Sequence, residues 1–321
     1  MTSNQYAIGI DIGGTKIAIA IIDGRNQIVA SLRQSSGPTA PAEATSCQIA
    51  QAIERLRQEH SDKHIRGIGI AVAGQVTPNE GIVSFAPNLS WHNVPLGQWI
   101  SEASQLPTVV TNDVRAATFA EWQYGAGKGH RNIVCIFVGT GIGSGIVING
   151  QLLAGSNNCA GEIGHMIIDL AGRPCHCGNL GCFEALAGGR AIGDIAWQAL
   201  LNHPTADTLL HAEVPADSST ITISQLTSAA KRGDLLASQL LNQLFAALAA
   251  GIANIVNFLN PECIVLGGGV IEALDAPIST LTLAVKRRAL HAATETFILK
   301  QAALSNHAVT IGAAQLALSQ L

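Results

Sequence analysis

The sequence predicts an α/β fold built from two related halves, and three observations carry that reading. Residues 6–12 and 16–22 are short apolar runs separated by Asp11-Ile12-Gly13-Gly14-Thr15-Lys16. Residues 132–138 and 146–148 repeat that plan around Gly139-Thr140-Gly141-Ile142-Gly143-Ser144-Gly145. Strand, glycine turn, strand reads as a hairpin in both places. Each hairpin is followed by stretches in which apolar residues recur at three- and four-residue spacing, as a helix packed on a sheet requires. Two copies of one arrangement point to an internal duplication of architecture with little residue identity.

The elements follow in order. Residues 29–34 continue the first hairpin as a third strand, and 41–60 form a helix with Ile49, Ile53 and Leu56 on its apolar side. Residues 65–72 are a strand ending in Ala73-Gly74-Gln75, and 82–85 an edge strand before the loop Ala86-Pro87-Asn88-Leu89-Ser90-Trp91. Asn88 and Trp91 read either as ligand contacts or as a turn asparagine beside a packed tryptophan. A short helix at 96–103 precedes the strand 108–111, which ends at Asn112-Asp113 before a helix at 114–124 that carries Glu121. A carboxylate at such a junction serves as an N-cap or as a base held by a rigid strand. Residues 188–201 are helical; His203-Pro204 and Pro215 break regularity beyond them. A helix capped by Ser224 and a long apolar helix over 235–257 follow. The strand 263–266 ends in Gly267-Gly268-Gly269, where a flat ligand or a backbone can come close. Residues 271–291 read as one helix, 297–299 as a strand and 311–320 as a final helix, whose Gly312-Ala313-Ala314 permits close packing.

Chain length and charge narrow the function classes. The chain has 321 residues, room for two domains. Only 12% of residues are charged, with a net charge of -4 and no basic patch, which argues against a nucleic-acid partner. Mean hydropathy is +0.31, yet polar residues interrupt every long apolar stretch, so no membrane partner is expected. Seven cysteines, three of them clustered, suit a reducing, cytoplasmic setting and a metal better than a disulfide framework.

That cluster lies in the stretch 159–184, CAGEIGHMIIDLAGRPCHCGNLGCFE. Cys175, Cys177 and Cys182 offer three thiolates, and His165 could close a four-coordinate zinc set. The alternative is three core thiols and a surface histidine. In the first hairpin, neither a Walker loop nor a Rossmann fingerprint occurs, because the glycines do not open a helix. The turn's N–H groups can nevertheless approach phosphates, and Asp11 at the strand end could order Mg²⁺ or its waters. A plain glycine hairpin is the other reading.

Taken together, DIGGTK, Asn88 in its Pro-Asn-Leu loop, Asn112-Asp113, GTGIGSG at 139–145, GEIGH at 161–165 and Cys-x-Cys-Gly-x-x-Gly-Cys-x-Glu at 175–184 resemble the ROK family of sugar kinases and related repressors. The resemblance covers nearly the whole chain. It implies an actin-like, ribonuclease-H-like ATPase fold of two lobes around a central cleft. Residues 1–112, completed by a C-terminal helix at about 301–321, would form the smaller lobe, and 113–300 the larger lobe with the zinc-binding loop. It implies phosphoryl transfer from ATP, with Mg²⁺, to a hexose 6-hydroxyl. By the same resemblance Asp113 is the catalytic base, and Asn88, Asn112, Asp113, Glu162, His165 and Glu184 hold the sugar. Asp11, Gly13, Gly14, Thr15, Lys16, Thr140 and Gly141 lie on the phosphate side, and Gly268 and Gly269 on the nucleoside side. Structural Zn²⁺ is expected on His165, Cys175, Cys177 and Cys182, and a homodimer through the larger lobe.

Glucose is the expected sugar, because the FAPNLSW loop with GEIGH is similar to bacterial glucokinases; N-acetylglucosamine or N-acetylmannosamine is the alternative. A non-catalytic sugar sensor is the reading from another class, and it predicts loss of the base or of the glycine turns, all of which are present. The hairpin that starts near residue 6 leaves no room for the winged-helix domain of the repressor branch. Two local departures from the family's commoner pattern, Ala73-Gly74-Gln75 and Asn158-Cys159, bear on the shape of the sugar pocket.

Overall fold

The computed structural model describes residues 5–37, 40–78, 80–202, 207–213 and 219–320. The first hairpin is β1 (Tyr6–Ile12) and β2 (Lys16–Asp23), continued by β3 (Ile28–Ser35). Helix α1 (Ala42–Glu59) provides the crossover that lets β4 (Ile65–Val72) pair parallel with β1. A small antiparallel sheet follows, made of β5 (Gln75–Val76), β6 (Val83–Ala86) and β7 (Trp91–Val94), with a 3₁₀ turn at Pro87–Leu89. Helix α2 (Leu96–Ser104) leads to β8 (Thr108–Asn112), parallel to β4.

Helix α3 (Asp113–Gln123) carries the chain to a second sheet, where β9 (Ile133–Val138) and β10 (Ile142–Ile148) form the second hairpin and β11 (Gln151–Leu152) extends it. A helical layer comes next: α4 (Phe183–Ala187), α5 (Gly189–Asn202), α6 (Leu210–Glu213), α7 (Ile223–Lys231) and α8 (Leu235–Leu259). Strand β12 (Cys263–Gly267) then pairs parallel with β9. Helices α9 (Gly269–Ala273), α10 (Pro277–Lys286) and α11 (His291–Thr294) precede β13 (Ile298–Gln301), and α12 (Ala308–Gln320) ends the described chain. The sheet orders are β3-β2-β1-β4-β8 and β11-β10-β9-β12-β13. Corresponding neighbours pair in the same sense in both, so the duplication expected from the two hairpins extends to all ten strands.

Both faces of β1 are buried from Ala7 to Ile10, which explains the apolar run that Asp11 interrupts near its end. Ile8, Ile10 and Ile12 meet Ile49 and Ile53 of α1 on one face, and Ala7 meets Ile311 and Ala314 of α12 on the other. The second face carries small residues because α12 lies almost on the strands: a Cβ at Gly9 or Gly69 would overlap the α12 carbonyls of Thr310 or Ala313. In the second half Val134, Ile136 and Val138 pack against Leu244, Leu248 and Ile252 of α8. Among the described helices, α8 alone is long and apolar enough to cross a membrane; here one side of it packs into that core while Leu235 and Phe258 stay exposed.

Several elements differ from expectation. The residue before α7 that caps it is Thr222, not Ser224: Thr222 and Gln225 form a reciprocal capping box, and the helix already begins at Ile223. The single helix expected over 271–291 is three short ones, because Ala276 takes a left-handed φ of 42° and Pro277 starts a new helix. Strand β7 was not expected; Trp91 and Val94 are buried in it with two exposed residues between them, too short a run to show a period. The breaks expected at His203-Pro204 and Pro215 lie outside the described residues.

Candidate active site

Strand β8 ends where α3 begins, and the junction is capped by Asn112 rather than Asp113. The Asn112 side-chain oxygen accepts the Arg115 N–H at 3.1 Å, and its amide donates to the Gly74 carbonyl at 3.2 Å. The amide also favours the charged form of its neighbour Asp113, and one lone pair of its oxygen remains for a ligand. With capping done by its neighbour, Asp113 is free to project from the first helical position, where Oδ1 accepts the Val114 N–H at 2.8 Å. Burial pushes the Asp113 carboxyl up to about 6 against hydrogen bonds that favour its charge, and the Glu162 carboxylate adds to the rise. Asp11, near the end of β1, is pushed up to about 7, first by burial and then by Asp113. Both residues are only part-buried by surface, so these crowded carboxylates still open onto the cleft. Three acidic groups from three elements converge here, with the Arg115 guanidinium acting on Glu162 alone of the three, an arrangement suited to proton transfer and to a bound divalent cation.

The two glycine turns flank this point. In the first, the Gly13 N–H donates to the Lys16 carbonyl at 2.9 Å and Thr15 and Lys16 are exposed. Gly14 lies under Asn88, whose Cβ would be 3.0 Å from a Cβ placed on that glycine. In the second turn the Gly139 and Thr140 carbonyls accept N–H groups of Gly189 and Arg190 at 2.8 and 3.0 Å, and Glu184 Oε2 accepts the Ile142 N–H at 2.8 Å. Glu184 Oε1 stays available. Asn88, Thr140, Gly141, Cys175 and Glu184 share the wall of one cavity of about 330 Å³ with Arg190 and Asp194. Trp91, the other candidate of that loop, is 3% exposed and belongs to the core. Gly268 has a φ of 93° and sits against the Val138 backbone, so chain packing accounts for that glycine; Gly269 faces open space.

The 3₁₀ turn Ile163–His165 and the loop before α4 bring together His165, Cys175, Cys177 and Cys182, whose ligand atoms all lie within 4.8 Å of one another. Cys177 and Cys182 sulfurs are 3.6 Å apart, and Cys175 Sγ is 3.8 Å from His165 Nδ1. Tetrahedral coordination with metal–sulfur bonds of about 2.3 Å places sulfurs about 3.8 Å apart, so the donor set fits a four-coordinate metal ion. Burial and the neighbouring thiols push Cys182 up to about 12, which a divalent cation would reverse.

Sequence reasoning missed a bracing contact. Arg115 donates to the Asn158 side-chain oxygen and, at 3.1 Å, to its carbonyl, while the Asn158 amide donates to the Val76 carbonyl at 2.8 Å. Asn158 therefore ties α3 and β5 to the loop that presents Glu162, and its φ of 66° suits an asparagine. The unusual Asn158-Cys159 pair was the available signal.

Comparison with known proteins identifies the family. The ROK family model matches residues 7–320. A glucokinase of Halalkalibacterium halodurans is 34% identical over 313 residues, 97% of this chain and 94% of that protein. The crystal structure of a ROK family glucokinase from Streptomyces griseus in complex with glucose and AMPPNP superposes with a TM-score of 0.82 at 31% identity, covering 98% of this chain and 99% of that one. A ROK family transcriptional regulator, a homolog of the E. coli MLC protein, gives a TM-score of 0.86 at 29% identity over 97% of this chain and 77% of its own. With a matched family model spanning nearly all of its length and two lobes of the expected duplicated fold, the chain belongs to the ROK family.

Proposed function

We propose that this protein transfers the γ-phosphoryl group of ATP to the 6-hydroxyl of a hexose, with glucose as the first candidate. The observation that carries the proposal is the convergence of Asp113, Asp11 and Glu162 between two glycine turns. A sugar sensor has no need of a part-buried carboxylate held near neutrality beside phosphate-suited backbone; a kinase does. Similarity to glucokinases over almost the full chain supports the same reading.

In this mechanism Asn88, Asn112, Glu162, His165 and Glu184 hold sugar hydroxyls, and Asp113 orients the 6-hydroxyl and accepts its proton as attack begins. An Asp113 carboxyl titrating at about 6 is ionised at neutral pH, yet basic enough to take that proton. Gly13, Gly14, Thr15 and Lys16 from one turn and Thr140 and Gly141 from the other approach the phosphates, while Gly268 and Gly269 border the nucleoside. Asp11 is the residue that would hold Mg²⁺ or its waters; the ion, when bound, supplies charge neutralisation on the phosphates. Closing the two lobes excludes water that would otherwise compete for the phosphoryl group.

Zinc is the metal proposed for the cysteine cluster, with His165 bound through Nδ1, the nitrogen facing Cys175. That leaves Nε2 for the sugar, its tautomer fixed by the metal. The role is structural, since four protein ligands leave no open position. A homodimer is proposed through the larger lobe, where Phe258, Leu283 and Leu290 are exposed, and a cytoplasmic setting is proposed with it, since a thiolate metal cluster suits a reducing compartment.

One coupled assay tests the reading: ATP and Mg²⁺ against glucose, fructose, mannose, N-acetylglucosamine and N-acetylmannosamine. Sugar-dependent ADP release with glucose at the highest kcat/KM is expected. Preference for a 2-acetamido sugar would move the substrate, and no turnover on any of them would defeat the activity.

A further inference from the structure

Glu121 is the most deeply buried carboxylate of the described chain that the proposed reaction does not use. It is 0% exposed. No basic side chain satisfies it. Its oxygens instead accept three backbone N–H groups: Ala126 at 2.9 Å and Ala303 at 3.1 Å on Oε2, and Leu304 at 2.7 Å on Oε1. Those donors belong to two segments far apart in sequence. Ala126 lies in the passage from α3 to β9, by which the chain leaves the first half. Ala303 and Leu304 lie in the passage from β13 to α12, by which it returns. Both crossings between the two sheets are therefore fastened to a single carboxylate. Lys300 on β13 adds a second tie, donating to the Ala126 carbonyl at 3.0 Å.

The position of Glu121 on α3 gives these bonds a consequence. Asp113 is at the first turn of the same helix and Glu121 is in its last, about 12 Å away along a rigid rod. Near Asp113 the helix rests on the second hairpin through Val114 against Gly143, and at its middle Ala116 touches Gly312 of α12. The helix is thus fixed to both halves, and its far end holds the two strands of chain about which they can turn.

We propose that Glu121 is a positioning residue that pins the hinge between the lobes, so that ligand-driven closure swings about its carboxylate while α3 keeps Asp113 in register with the sugar. The inference rests on the kinase reading only for the meaning of closure. A carboxylate is required rather than an amide, because both oxygens accept and an NH₂ group would face a backbone N–H. Three charge-assisted bonds to backbone also hold the hinge without blocking rotation of the peptides on either side.

Two variants test this. Glu121→Gln turns one acceptor into a donor. Gly125→Ala keeps the carboxylate but adds a Cβ that would overlap Oε2, forcing it to move. Three readouts are taken on the full chain: hydrogen exchange at the Ala126, Ala303 and Leu304 amides, the fall in radius of gyration on adding glucose with a non-hydrolysable ATP analogue, and steady-state kinetics. Glu121→Gln should speed exchange in both segments together, remove most of the compaction, and lower kcat by at least about 10-fold while hexose Kd stays within about 3-fold. Gly125→Ala should show the same split at smaller size. Faster exchange with wild-type compaction and kcat would overturn the hinge role and leave Glu121 a purely stabilising group. If Glu121→Gln does not fold, the same comparison on Gly125→Ala decides the matter. Compaction by the ligands in a wild-type protein that phosphorylates no sugar would defeat the kinase reading and leave the hinge standing.

Discussion

The two hairpins are alike in topology and unlike in chemistry. Strands β1 and β2 pair Ile12 with Ile17 across their turn, and β9 and β10 pair Val138 with Ile142. One residue further from the turn, the first hairpin has Asp11 opposite Ala18 and the second has Phe137 opposite Gly143. The charge is therefore on one copy only. The second copy is instead a floor: Gly143 and Gly145 lie beneath Val114 and Thr118 of α3, and the turn's carbonyls are occupied by the start of α5. What duplication kept is the backbone plan that lets two turns face one cleft. What diverged is packing: the first turn has exposed Thr15 and Lys16 beside an acidic strand end, while strand β10 of the second also bears the helix that carries Asp113.

The largest effect expected from this contrast is at Asp113, the group the second hairpin supports. Asp113→Asn should lower kcat by about 10²–10⁴-fold, the range of a lost general base, with hexose Kd changed only a few-fold. Isothermal titration alongside the coupled assay measures both. Near-normal turnover would remove the base from α3 and with it the division of labour.

The His165–cysteine loop comes next, because the proposed sugar-holding residues His165 and Glu184 lie in it or just after it. Cys177→Ser should reduce bound metal from about one ion per chain to a small fraction of that, and lower Tm, since metal binding here is folding energy. Metal analysis by mass spectrometry reads the first and differential scanning the second. Full metal content in the variant would disqualify Cys177 as a ligand.

Charge on the first hairpin has a cost that pH exposes. Asp11 and Asp113 titrate at about 7 and about 6 in the fold, above the 3.8 of the unfolded chain. The native state then binds protons more tightly. The stability from those protons is fully present below about pH 4 and is lost as pH rises through 6 and 7. Asp11→Asn should therefore raise stability at pH 8 by on the order of 1–3 kcal/mol and change it little at pH 4, while activity falls. Urea titrations at the two pH values measure this. Equal effects at both would mean that Asp11 is not held against its preferred charge.

How much of this could be read in the sequence follows the same division. Both hairpins, the two-half architecture and the four-residue metal cluster were legible, because glycine turns and cysteine spacing act locally. The strand-to-helix junction at Asn112-Asp113 was legible but not which of the two residues caps α3, since the Asn112 side chain is also held by the Gly74 carbonyl 38 residues away. The partners of Arg115, Asn158 and Glu121 were not legible, although the Asn158-Cys159 pair stood out and Glu121 was placed on its helix. Each works by reaching backbone groups of another segment, such as Val76 from Asn158 and Leu304 from Glu121. Periodicity and spacing report on neighbours in the chain, and these contacts are made only when the two halves meet.

The finest test of the contrast sets one glycine of each hairpin against the other. At Gly145 an added Cβ would overlap Thr118 Oγ1 of α3, a side chain already bound to the Val114 carbonyl at 2.8 Å. Strand and helix must separate, so Gly145→Ala should cost roughly 1–3 kcal/mol of stability and reduce kcat, because Asp113 moves with α3. At Gly14 an added Cβ would stand 3.0 Å from Asn88 Cβ, on an exposed loop that can yield by a few tenths of an ångström. Gly14→Ala should leave stability within about 0.5 kcal/mol and act on KM for ATP and sugar instead. Thermal unfolding and initial rates on the pair separate the two roles. If Gly14→Ala destabilised the protein as much as Gly145→Ala, Gly14 would be a packing glycine like Gly145 and would no longer argue for a phosphate.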